Sequence, residues 1–190
     1  MKKIIVPFKE VEDYSLEDFG GKRANKTVCI VRYGAFGDII QASSLFPMFK
    51  KEGYRVCVNV SEAGEKLLKC NPHVDELIVQ KSGQICNTRL DDYWAVMSQC
   101  FDKFVQLSES IESTLLLSPE RIVESKGEKY KVAASEGYHL SKEEIHERCN
   151  VNYIEHTHKL AGVPFEHNPV YYPSSSEKEW ARNARRKIKT

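Results

Sequence analysis

No stretch of the chain is apolar for long enough to cross a bilayer as a helix, which excludes a helical membrane span. Charge of one sign is equally missing. Across 190 residues, 28 lysines and arginines face 27 aspartates and glutamates, and the net charge of +1 gives no global attraction for nucleic acid or for an acidic partner. The six cysteines contain no C-x-x-C pair and no framework spacing, so neither a disulfide scaffold nor a zinc module is expected. Cys149 lies near His146, His156 and His158, but at a spacing that fits no standard metal site. The opening segment has only Ile4-Ile5-Val6 as an apolar core before Pro7 and Lys9, too short for a secretory signal, and the chain is expected to stay in the cytoplasm with its thiols reduced. Two phosphate-binding signatures are absent as well. There is no G-x-G-x-x-G and no G-x-x-x-x-G-K-[ST].

What is present is organised around residues 28–51. Val28-Cys29-Ile30-Val31 is an unbroken apolar run rich in β-branched residues, which reads as a buried parallel strand. Arg32 and Tyr33 follow, then Gly34-Ala35-Phe36-Gly37-Asp38, and then Ile39 to Lys51 with apolar residues on helical spacing. Strand, glycine turn and helix start form the corner where ligands gather in open α/β sheets. Free N–H groups of a helix's first turn favour anions, and glycines admit close approach to the backbone. By itself G-x-x-G-D also fits a tight turn with Asp38 as a helix cap.

The rest of the chain continues the alternation. Strands are expected at Arg55–Val60, Glu76–Gln80 and Lys103–Leu107, with helices at Glu62–Cys70, capped by Ser61 and stopped by Asn71-Pro72, and at Leu90–Cys100. The β-α-β-α-β order implies parallel strands joined by right-handed crossovers, hence an α/β, Rossmann-like parallel sheet flanked by helices. Ser108-Glu109-Ser110 forms a candidate ligand-facing loop beyond the fourth of these strands. Residues 118–135 carry no readable pattern. Ser141 to Glu144 is a capping box, with Leu140 and Ile145 as its hydrophobic staple. A helix over Val151–Ala161 ends at Gly162, and its His156 and His158 face different directions. Val170 to Pro173 reads as a final strand. Ser176 to Glu179 opens a last helix with Trp180 as its apolar anchor and Arg182, Arg185, Arg186, Lys187 and Lys189 toward its far end. Residues 1–26 read as an extension lying on the domain.

Residues 28–47, V-C-I-V-R-Y-G-A-F-G-D-I-I-Q-A-S-S-L-F-P, resemble the opening of the family 9 glycosyltransferases, the ADP-heptose:lipopolysaccharide heptosyltransferases. The shared features are a strand, a basic residue (Arg32), a turn ending in Gly37-Asp38, and a proline (Pro47) about nine residues on. Cys70 to Ile78 is similar to the family's NP-x-VDE stretch, and Tyr153–Pro164 with Glu177–Ala181 resembles the end of its N-terminal domain. The resemblance implies a two-domain GT-B enzyme. Residues 27–173 would be its acceptor-side Rossmann-like domain, and 174–190 a helix leading toward a C-terminal donor-binding domain beyond this sequence.

It further implies inverting transfer of a heptose from ADP-heptose, a co-substrate rather than a cofactor, to a lipopolysaccharide core hydroxyl, without an obligatory metal and at or near the inner face of the cytoplasmic membrane. By resemblance Asp38 is the general base. Arg32, Gly34, Ala35, Phe36 and Gly37 shape the substrate corner, and Ser108 and Glu109 face the acceptor. Several family members carry small hydroxyl residues where this chain has Gly34 and Ala35. Two other readings stay open on the residues alone: a sugar- or nucleotide-binding module without turnover, and a flavodoxin-like interaction domain in which Asp38 is only a cap.

Overall fold

The computed structural model describes residues 1–24, 26–108, 114–115 and 141–188. Five parallel strands form one sheet: β1 (Lys2–Ile5), β2 (Thr27–Val31), β3 (Arg55–Ser61), β4 (Glu76–Gln80) and β5 (Lys103–Gln106), in the order β1-β4-β3-β2-β5. The Rossmann-like α/β class expected from the alternation is the one observed. Helices α1 (Phe36–Ala42), α2 (Phe46–Lys51), α3 (Glu62–Leu68), α4 (Leu90–Ser98), α5 (Lys142–Cys149), α6 (Tyr153–Ala161) and α7 (Ser175–Ile188) accompany the sheet, with short 3-10 turns between some of the elements.

Every residue of β2 and β4 is buried, because both faces of the sheet are covered. Side chains alternate between two cores. Val28 and Ile30 join Ile39, Phe46, Met48, Phe49, Leu68 and Ala161 beneath α1, α2, α3 and α6. Cys29 and Val31 face the other way, against Tyr93, Trp94 and Met97 of α4 and against Val11, Tyr14 and Phe19 of the N-terminal segment. Cys29 and Cys57 sit side by side in register as small apolar groups, and burial pushes both thiols up.

The structure corrects several expectations. Residues 1–24 are integral to the domain: β1 pairs with β4 as an edge strand, and Phe19 is fully buried. Arg23 fastens this segment by donating to the carbonyls of Gly21 and Phe19 and to the buried carboxylate of Glu76, which Arg55 also engages at 3.2 Å. Gly20 has φ +90°, and a Cβ there would lie 2.5 Å from Ile4 Cδ1, so the segment's last turn requires glycine.

The helix expected over Ile39–Lys51 is broken into α1, a 3-10 turn (Ser43–Leu45) and α2. Pro47 cannot donate to the Ser43 carbonyl, and the Ser43 and Ser44 hydroxyls bond back to the carbonyls of Ile40 and Gln41 at 2.6 and 2.8 Å. Val170–Pro173 is not a strand. Pro169 and Pro173 bracket it without donors, and Val170 is held by the Ser43 hydroxyl instead. The last capping box is made by Ser174 with Glu177, and Trp180 is no internal anchor, being 73% exposed. Leu140, His139 and residues 118–135 lie outside the described residues.

Candidate functional site

From β2 the chain steps outward to β3 and β4, then returns to β5 on the opposite side of β2. The strand order therefore reverses between the neighbours β2 and β5, and the C-terminal ends of such a pair are where ligands gather in open α/β sheets. The residues singled out after β2, and Ser108 after β5, flank this switch point.

Arg32 is the first residue beyond β2 and is 6% exposed. Its Nη1 donates to the Leu107 carbonyl at the end of β5, and its Nη2 donates to Asp38 Oδ1 at 2.6 Å. One guanidinium thus ties the end of β5 to the carboxylate on α1. Asp38 is the third residue of α1, not its cap. Ala35 is the capping residue and has no hydroxyl to offer, so only the return bond forms, from Ala35 N–H to Asp38 Oδ2 at 2.8 Å. Gly34 makes this possible. Its φ is +107°, and a Cβ there would stand 2.6 Å from Asp38 Oδ2.

The corner differs electrostatically from the anion cradle suggested by sequence. Asp38 places negative charge in the first turn of a seven-residue helix, where it occupies one free amide and repels phosphate. A carboxylate offers about four acceptor positions. Arg32 and Ala35 account for two, and the Asp38 side chain is 39% exposed, so acceptor capacity remains open to solvent. The arrangement suits a neutral polyol whose hydroxyls donate.

The remaining sequence candidates sort by position. Ala35, Phe36 and Gly37 are exposed along the turn, Phe36 at 59%, and a Cβ at Gly37 would meet nothing within 4 Å. Ser108 is half-buried just beyond β5, its N–H donating to Gln106 Oε1 at 3.1 Å. Glu109 lies outside the described residues. His156 and His158 diverge as expected. His158 is buried between the Ser44 hydroxyl (2.9 Å) and the Pro164 carbonyl (2.8 Å), while His156 meets Thr114. Among the described residues no cluster of three or more His, Cys, Asp or Glu could hold a metal, and all six cysteines are free.

A second support of the corner was not read from the sequence. Tyr33 points to the opposite face of the sheet from Arg32, and its hydroxyl meets the side chains of Asn59 on β3 and Gln80 on β4, the latter at 2.6 Å. Asn59 donates its amide to the Ile78 carbonyl at 3.0 Å, so its oxygen must accept from Tyr33. The phenol has one hydrogen, which the oxygens of Asn59 and Gln80 both face. Trp94 stacks on the Tyr33 ring at 6.3 Å, and burial pushes the phenol's pKa well up. Asparagine inside the apolar run V-C-V-N-V was the available signal, since a buried amide needs partners. Consecutive residues, Arg32 and Tyr33, thereby bolt the turn to β5 on one face and to β3 and β4 on the other. Comparison with family models, with curated proteins and with solved structures gives no match to this chain.

Proposed function

We propose that the chain is the acceptor-side domain of an inverting glycosyltransferase of heptosyltransferase type, working with a donor-binding domain that holds the ADP-sugar. The observation that carries this reading is the Arg32–Asp38 pair at the β2–β5 switch point, with open acceptor capacity on Asp38 and an exposed, largely side-chain-poor turn beside it. The resemblance of residues 28–47 to the heptosyltransferase opening supplies the chemistry.

In that chemistry a hydroxyl of the lipopolysaccharide core donates to Asp38 as its oxygen bonds to the anomeric carbon of the heptose. The bond from that carbon to the ADP phosphate breaks on the opposite face, ADP departs, and the hydroxyl proton passes to Asp38. Arg32 holds the carboxylate in place and does not touch the sugar. The proton moves late, once the hydroxyl oxygen is already bonding to the anomeric carbon. Ser108, just beyond β5, belongs on this reading to the acceptor-facing side, as the resemblance also implies for Glu109.

The test is heptosyl transfer from ADP-heptose to an inner-core acceptor by the full-length protein, with Asp38→Asn beside the wild type. The reading expects a loss of about 10²–10⁴-fold in kcat with little change in acceptor KM. Full turnover by a folded Asp38→Asn protein would leave Asp38 as a structural clasp, and binding of the acceptor without transfer by the wild type would favour a binding module.

A further inference from the structure

Helix α7 presents a face that the rest of the described chain does not cover. None of its 14 residues is buried, and Trp180 and Ile188 are 73% and 84% exposed. At 100° per residue Trp180, Ala181, Ala184 and Ile188 fall within one arc of about 100°. Lys187 borders the arc beside Trp180, and Arg185 and Lys178 border its other side, with Arg182 and Arg186 behind them. The helix carries five cationic side chains against two carboxylates. Glu177, which falls inside the arc, is turned back over the helix start by Ser174 at 2.6 Å and by the Tyr171 hydroxyl at 2.8 Å. Glu179 lies on the far side.

From this geometry we propose that α7 docks the protein on an anionic lipid surface, lying in the interface with Trp180 and Ile188 inserted and the flanking cations at headgroup level. Two large apolar side chains and two alanines are too little to seal a domain or subunit interface, which needs a broad apolar centre. They are what a shallow interfacial helix uses, and tryptophan prefers the headgroup boundary. The bordering lysines and arginines can bury their methylene stems beside the arc and keep their charges among phosphates. The overall charge of +1 supplies no such attraction, so the effect belongs to this helix. The proposal stands apart from the reading of the Arg32–Asp38 corner and does not depend on it.

The experiment is sedimentation of the purified chain with phosphatidylcholine vesicles, with and without phosphatidylglycerol. Binding is expected only to the anionic vesicles, weakening as salt rises. Trp180→Ala and the charge reversal Lys178→Glu/Arg182→Glu/Arg185→Glu should each weaken it about tenfold or more. Brominated acyl chains should quench fluorescence in the wild type and not in Trp180→Phe, because the other tryptophan, Trp94, is buried. Circular dichroism should show all variants folded, since α7 contributes no buried side chain. Failure to sediment with anionic vesicles at low salt overturns the proposal. So does binding indifferent to both substitutions, or a charge reversal that weakens binding to duplex DNA while vesicles are ignored.

Discussion

Gly34 and Asp38 define each other. A methyl group at Gly34 would meet Asp38 Oδ2 at 2.6 Å, at a φ of +107° that side-chain-bearing residues rarely adopt. Gly34→Ala should therefore cost about 1–3 kcal/mol. It should also push the carboxylate away from Arg32, which urea denaturation together with the chemical shift of the Ala35 amide would reveal; an unchanged amide would mean the turn tolerates the methyl group. Asp38→Asn acts differently. It removes charge opposite a guanidinium that is 6% exposed, and a loss of about 1–3 kcal/mol is expected. A double-mutant cycle with Arg32→Met should return a coupling of about 0.5–3 kcal/mol; additive effects would dissolve the pair as a unit. Loss of stability in Asp38→Asn must accordingly be measured beside any loss of turnover.

At the level of elements, α1 is fixed by α6. Gln41 donates to the Tyr153 carbonyl at 3.0 Å and to the Thr157 hydroxyl at 2.8 Å, and Ser44 meets buried His158. Burial lowers the pKa of His158 in the folded chain. The neutral form is thus favoured by folding, and the unfolded chain binds the proton more readily. Stability from this histidine is full above its ordinary value of 6.5 and is lost as pH falls below it through the depressed folded value. Urea midpoints measured from pH 7.5 to pH 5 should fall, and His158→Gln should flatten part of that slope; an equally steep slope in the variant would assign it to His73 or His156, which burial also lowers. Elements were legible from sequence wherever burial on both faces wrote an unbroken apolar run, as in V-C-I-V and E-L-I-V-Q. β1 was not, because K-K-I-I is an edge strand with charged residues toward solvent, and its partner β4 comes some seventy residues later. The break between α1 and α2 was written in Ser43-Ser44 and Pro47, yet it lies inside an apolar pattern that a continuous helix would also satisfy.

For the molecule as a whole, the N-terminal segment decides whether the second core closes. It supplies β1 and buried Val6, Val11, Tyr14 and Phe19, and Glu76 depends on Arg23. Deleting residues 1–24 should leave a chain without cooperative unfolding, since Glu76 would lose a buried partner and Tyr93 its aromatic neighbours; a sharp thermal transition in the truncated chain would contradict this. The corner itself was half legible. Gly34, Gly37, Asp38 and Arg32 could be named from one stretch of sequence, but their tie to Leu107, and the anchoring of Tyr33 by Asn59 and Gln80, join strands that only the sheet order brings together.

The central claim, that this corner receives a sugar hydroxyl, is tested most directly by titrating the isotope-labelled chain with a lipopolysaccharide inner-core oligosaccharide and following backbone amides. The account predicts shifts confined to residues 34–38 and 106–108 that Asp38→Ala removes while the remaining spectrum stays folded. Saturation without change at Gly34, Ala35 and Asp38, or the same shifts in Asp38→Ala, would contradict it.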